Sequence, residues 1–210
     1  MSHTPRRALI VIDMQEEYVS GGLRIEYPDI HQSLRHIGEA MDAARAAGIP
    51  VIVVQNHAPL PGAPLFDKGS RGWQLHAVVA ARPRDHFIEK SLPSAFAGTD
   101  LGVWLESQRI DTLTVVGYMT HNCCDATIKH AFHAGLAVEF LNDASGAVSY
   151  ANRAGGGSAE DIHRAFTVVL QSRFAAVLTT AEWMNALQTH IAPERDTIFA
   201  SHKRTQRSAR

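Results

Sequence analysis

The sequence predicts an α/β protein, a three-layer sandwich with a central, mostly parallel sheet and helices on both faces. Three observations predict it. Near-continuous apolar runs of strand length stand at 8–14, 50–54, 113–116 and 137–141, the pattern of strands covered by helices on both faces. Segments with apolar residues at helical spacing alternate with these runs. The separations between runs are too long for hairpins and suit crossover connections in a parallel sheet.

The elements follow in order. The run at 8–14, ALIVIDM, brings Asp13 to its carboxyl end, where open α/β sheets place their sites. Residues 18–29 contain Gly21, Gly22 and Pro28 and read as loop. Leu34, Ile37, Met41 and Ala44 mark a helix over 33–47, closed by Gly48. After the strand at 50–54 comes a Pro- and Gly-rich loop at 57–71, with 58–72 a candidate lid. Residues 73–79 are ambiguous between helix and strand. His86–Lys90 reads as a short strand ending in a lysine, and 100–108 as a helix with Leu101, Trp104 and Leu105 inward. The strand at 113–116 turns at Gly117, Tyr118 and Met119 into a helix opening near Cys123. The strand at 137–141 is followed by Asn142 and Asp143, and 152–158 is a glycine-rich loop. Ala159–Arg173 is a helix, Ala176–Leu178 a last strand and 181–187 a last helix. From 193 onward the chain is polar and basic and reads as a frayed tail or an arm on a partner subunit. One domain over 7–190 with a tail over 191–210 is expected.

Composition narrows the function. With 210 residues, 45% of them hydrophobic, the chain suits one domain with a sizeable core. A formal net charge of -1 gives no general pull toward nucleic acid or an anionic membrane. No apolar run approaches the roughly 20 residues of a membrane-spanning helix, and the N-terminal apolar stretch is too short for a secretory signal. No glycine run has the spacing of a phosphate-binding loop. Adjacent cysteines make a poor disulfide and no zinc framework, so a working thiol in a reducing cytoplasm is expected. The expected partners are a small-molecule substrate and further copies of the chain, as a homo-oligomer (dimer or tetramer), with no nucleic acid and no membrane.

The chemistry centres on 114–127, TVVGYMTHNCCDAT. Thr120 and Asn122 are of the types that cap a helix start. A cysteine in the first helical turn faces unpaired N–H groups and the positive end of the helix dipole, which favour thiolate and lower the pKa. The same N–H groups can hold the oxygen of a tetrahedral intermediate. Cys123 and Cys124 read equally well as small buried residues at a strand–helix junction. What adds weight to the chemical reading is that Asp13, Lys90 and Cys123 each fall at the carboxyl end of a predicted strand, on one rim of a parallel sheet. Asp13 is suited to take the thiol proton and return it to a leaving group, and Lys90 to favour both thiolate and carboxylate. A carboxylate capping a turn and a solvated strand-end lysine are the plainer alternatives.

With these residues in view, the chain resembles the isochorismatase-like cysteine hydrolase family, which includes nicotinamidases, N-carbamoylsarcosine amidohydrolases and streptothricin hydrolase. The likeness spans about 7–190. Its motifs are Asp13, Met14 and Gln15; Lys90 leading into PSAFAGTDL at 93–101; and GYMTHNCCDAT at 117–127. The resemblance implies the isochorismatase-like fold and a catalytic triad of Asp13, Lys90 and Cys123. It also implies a cis peptide between Tyr118 and Met119, and an oxyanion hole formed by the N–H groups of Met119 and Cys123. Nicotinamidases of this family hold a metal with an Asp-x-His and a further histidine; here Gln55 replaces the carboxylate before His57, and a neutral amide is a weaker ligand for a divalent cation. No metal and no cofactor are therefore expected, despite His57 and His76. Candidate substrate contacts are Tyr18, Gln55, His57, Phe96 and Tyr118, with Met119 beside them. The expected activity is a cysteine-dependent amidohydrolase cleaving a C–N bond of a small amide, lactam or ureido compound through a thioester. The alternatives are isochorismatase-type ether hydrolysis, which the cysteine argues against, and a redox-sensing vicinal thiol pair in a binding protein.

Overall fold

The computed structural model describes residues 4–208. Its centre is a six-stranded sheet of β1 (Arg7–Ile12), β2 (Val51–Asn56), β3 (His86–Lys90), β4 (Thr112–Tyr118), β5 (Ala137–Gly146) and β8 (Ala176–Leu178). The spatial order is β3-β2-β1-β4-β5-β8, and every pairing is parallel. All carboxyl ends therefore share one rim. The helices are α1 (Ile30–Ala46), α2 (Ala77–Ala80), α3 (Leu101–Ser107), α4 (Asp125–His133), α5 (Ala159–Arg173), α6 (Thr180–Thr189) and α7 (Ile198–Ser208).

Side-chain alternation along each strand builds the three layers. Leu9 and Val11 of β1 pack with Leu34, Ile37 and Met41 of α1 and Trp183 of α6. Ala8, Ile10 and Ile12 point the other way, against Leu101 and Leu105 of α3, Ile128 of α4 and Leu170 of α5. Both faces being apolar explains why the strands read as unbroken apolar runs.

The structure departs from the sequence-based reading in four places. Residues 73–79 resolve into a short helix at Ala77–Ala80, started by His76, whose ring nitrogen accepts the Val78 N–H at 3.2 Å. β5 runs on to Gly146, pairing Ser145 and Gly146 with Gly117 and Tyr118 after a shift in register. The expected loop at 152–158 contains half of an antiparallel hairpin, β6 (Tyr150–Asn152) with β7 (Gly155–Gly157). The expected frayed tail carries α7, anchored beside α5.

Candidate active site

Three strand ends build the site. Asp13 follows β1 with φ 52°, a left-handed conformation that aspartate adopts more readily than most side chains. Its N–H donates to the Val54 carbonyl at 3.0 Å and its carbonyl accepts the Gln15 N–H at 2.8 Å, which fixes its direction. Lys90 ends β3, in register with Asn56 of β2. Buried Gln15 ties the neighbouring strand ends together. Its Oε1 accepts the Asn56 N–H at 2.9 Å, and its Nε2 donates at 2.8 Å to the carbonyls of Asn56 and Trp73. Gly117 of β4 lies opposite Ile12 with φ 109°, and a Cβ there would strike the Ile12 backbone. Only glycine lets β4 approach β1 this closely. The Tyr118–Met119 peptide is cis. A wide π-helical turn over Thr120–Cys124 then leads into α4.

These elements bring all three predicted catalytic side chains together. Lys90 Nζ lies 2.6 Å from Asp13 Oδ2 and 3.3 Å from Cys123 Sγ. Asp13, Lys90 and Cys123 are 0%, 2% and 4% exposed, so their charges interact with little water to screen them. The Cys123 side chain also hydrogen-bonds the Asp13 carboxylate. The Met119 N–H, also buried, has no acceptor among the described residues.

Burial dominates the electrostatics. It pushes the Asp13 carboxyl above its ordinary value of 3.8, with Lys90 pulling the other way. For Lys90 burial opposes the charge, but Asp13 and Cys123 together outweigh it and hold the ammonium above its ordinary range. Burial, and then the Asp13 carboxylate, push the Cys123 thiol up against the pull of Lys90. The expectation of a lowered thiol pKa is therefore corrected: desolvation exceeds the help from Lys90 in a site closed to water. These directions favour an Asp13–Lys90 ion pair beside a neutral thiol.

The predicted substrate contacts divide. Tyr18 is at the site: burial raises its phenol, and Cys123 and Asp13 raise it further. Its ring lies 5.2 Å from Phe66 and 5.6 Å from Tyr118. Tyr118 is not a free wall of the pocket. It faces the α1 layer with Val116, and its hydroxyl is paired with Ser33. Phe96 is drawn away to stack on His130 at 4.6 Å, lining a groove of about 620 Å³ with Gly102, Leu105 and Leu136. Gln55 spends its amide on the Trp73 carbonyl at 2.8 Å, holding the 58–72 loop to the rim. His57 bonds its own loop, Nδ1 to the Ala58 carbonyl at 2.9 Å, while its N–H donates to the Lys90 carbonyl. Among the described residues no group of three or more His, Cys, Asp or Glu side chains is placed to hold a metal ion.

Cys124 is fully buried, its thiol directed at the Gly117 carbonyl at 3.3 Å. Thr120 does not cap the helix; its hydroxyl turns inward to Ser145 and His163. Asn122 makes no cap either. Gln15, Ser145 and His163 escaped the sequence reading as working residues. Their partners lie tens of positions away, where no periodicity reaches.

A parallel sheet with a buried carboxylate, lysine and cysteine at its carboxyl rim defines an α/β enzyme of the hydrolase type. The chain belongs to the isochorismatase family: the isochorismatase domain model matches residues 7–182. A crystal structure from Burkholderia xenovorans LB400, described as an isochorismatase, superposes with a TM-score of 0.97 at 62% identity, covering 99% of this chain and 100% of that one. Streptothricin hydrolase of Streptomyces noursei is 35% identical over 140 residues, 67% of this chain and 54% of that protein. Ureidoacrylate amidohydrolase of Methylobacterium radiotolerans is 29% identical, covering 85% of this chain and 78% of that protein. The last two of these relatives are named as hydrolases, of streptothricin and of ureidoacrylate.

Proposed function

We propose that the protein is a cysteine-dependent amidohydrolase that cleaves a C–N bond of a small amide, lactam or ureido compound through a thioester. The observation that carries this reading is Lys90 bridging Asp13 and Cys123 in a buried site, 2.6 Å from one and 3.3 Å from the other. The amide-cleaving name of the ureidoacrylate relative supports it.

The cycle follows from the charges. Because the thiol is neutral at rest, its proton passes to Asp13 as sulfur attacks the substrate carbonyl carbon. A C–S bond forms and the carbonyl π pair moves to oxygen, which the N–H groups of Met119 and Cys123 receive. Collapse breaks the C–N bond, and Asp13 returns the proton to the departing nitrogen. Water then attacks the thioester, giving a proton to Asp13. The second collapse breaks C–S, and the proton goes back to sulfur, releasing the acid. Lys90 stays charged throughout and steadies whichever of Asp13 and Cys123 carries negative charge. The full burial of Cys124 speaks against a reversible vicinal-thiol sensor.

Screening the purified protein against small amides, lactams, ureides and carbamoyl compounds, with ammonia or amine release as readout, tests the proposal. Turnover should vanish in Cys123→Ala and Asp13→Asn. Undiminished turnover in Cys123→Ala would end the cysteine mechanism.

A further inference from the structure

Behind the turn that carries Met119 and Cys123 lies a row of hydrogen bonds that the cycle above does not use. His163 of α5 sits with Nδ1 2.9 Å from Thr120 Oγ1. Thr120 Oγ1 is 2.8 Å from Ser145 Oγ, and Ser145 Oγ is 2.7 Å from the Gly117 carbonyl oxygen. Thr120 and Ser145 are fully buried and His163 is 6% exposed, so water cannot readily substitute for a missing partner.

The protons in this row can be placed. A carbonyl only accepts, so Ser145 spends its single proton on Gly117. The other acceptor near Ser145, Cys124 Sγ, is much farther at 3.9 Å and its own thiol is directed at Gly117. Ser145 must therefore accept from Thr120. Thr120 has then spent its proton and must accept from His163, which requires the hydrogen on Nδ1. Reversing the Ser145 link would leave two acceptor oxygens 2.7 Å apart with no proton between them, and the other directions follow from that one. Burial, with His121 adding to it, pushes the His163 imidazole down to about 4, so the ring is neutral at working pH. Of its two neutral tautomers only one completes the row.

We infer that His163, held as the Nδ1–H tautomer, is a positioning residue for the proposed oxyanion hole, acting through Thr120, Ser145 and the Gly117 carbonyl. Thr120 directly follows Met119 in sequence, and Gly117 stands two residues before it. The row thus pins both sides of the peptide group whose N–H is uncommitted, and it ties that turn to β5 and α5. Bonds aligned in one direction polarise one another, so the loss of the terminal donor weakens the links beyond it. The inference rests on the thioester reading, because an oxyanion hole matters only if an acyl group is transferred.

Two reactions of one sulfur separate positioning from general damage. Acylation by p-nitrophenyl acetate forms a C–S bond, places negative charge on the carbonyl oxygen and then expels p-nitrophenolate. Alkylation by iodoacetamide forms a C–S bond and expels iodide without any oxyanion. In His163→Leu the acylation rate constant should fall by about tenfold or more while alkylation of Cys123 stays within about twofold. His163→Asn places an amide N–H near the position of Nδ1–H and should restore most of the acylation rate. Thr120→Val cuts the same row with little change of shape and should behave like His163→Leu; it supplies the comparison if the leucine variant fails to fold. Nitrogen NMR of the unaltered protein should show His163 protonated on Nδ1. An Nε2–H tautomer would overturn the inference, as would equal losses in both reactions, an unaltered acylation rate in a folded His163→Leu, or no rescue by asparagine. If the unaltered protein is not acylated at Cys123 at all, the thioester reading falls, while the tautomer still decides the hydrogen-bonded row.

Discussion

Cys123 and Cys124 share a chemistry but not a neighbourhood. One residue of helical turn rotates a side chain by about 100°, which sends Cys123 to Lys90 and Cys124 to the Gly117 carbonyl. Iodoacetamide at neutral pH should therefore label Cys123 first, as peptide mapping would show; faster labelling of Cys124 would reverse the assignment. The ionisation of Asp13 gives a second expectation. Turnover needs the carboxylate, and burial raises its pKa above 3.8, so activity should rise with pH through a limb displaced upward from the ordinary carboxylate range. Lys90 is what pulls that pKa down. Lys90→Ala should move the acid limb to still higher pH and, by removing the cation that favours thiolate, slow the alkylation of Cys123. An acid limb that coincides in the two proteins would show that Lys90 does not act on Asp13.

Among the elements, β5 carries the most concentrated polar commitment outside the site. Glu139, buried at mid-sheet, takes three hydrogen bonds from Arg7, one from Thr114 at 2.7 Å and one from Trp183 at 2.8 Å. It thereby links β1, β4 and α6 through one carboxylate. Glu139→Ala leaves a buried guanidinium and an indole N–H without partners, and should cost roughly 3–5 kcal/mol of stability in denaturant unfolding. Loss of less than about 1 kcal/mol would mean that water or a rearrangement satisfies those donors. Nothing in the local sequence marks Glu139 as special, since its partners come from distant strands and a helix. The β1, β2 and β4 runs, by contrast, were legible because burial on both faces makes them continuously apolar. The β6–β7 hairpin was not, because YAN and GGG bury no apolar face and carry no period. The helix α7 was also hidden: IFASHKRTQRS is mostly polar, and its exposed Phe199 gives no core stripe to read.

At the scale of the whole molecule, strand order converts three scattered residues into a site. β1 lies between β2 and β4, so Asp13 and the turn to Cys123 are neighbours. Lys90 comes from β3, two strands and roughly 10 Å away, a gap suited to a long lysine stem. The sequence places each residue at a strand end, yet does not state the order of the strands. Convergence on one rim is therefore expected from the fold class, while adjacency is learned from the structure. The thiol's neutrality was illegible for a related reason: its dominant cause is burial, which the whole sheet and its layers create, whereas the lowering influences are local and visible in the sequence. No described helix is long and apolar enough to cross a membrane.

The central claim is that Cys123 becomes covalently acylated and that Asp13 and Lys90 serve that event. Rapid-quench peptide mapping of the protein mixed with p-nitrophenyl acetate tests it most directly. One acetyl group should appear on the peptide containing Cys123 within the first turnover, decay as acetate is released, and be absent from Cys123→Ala. Product release with no acyl group on Cys123 at any time, or the same label on Cys124 with Cys123 untouched, would contradict it.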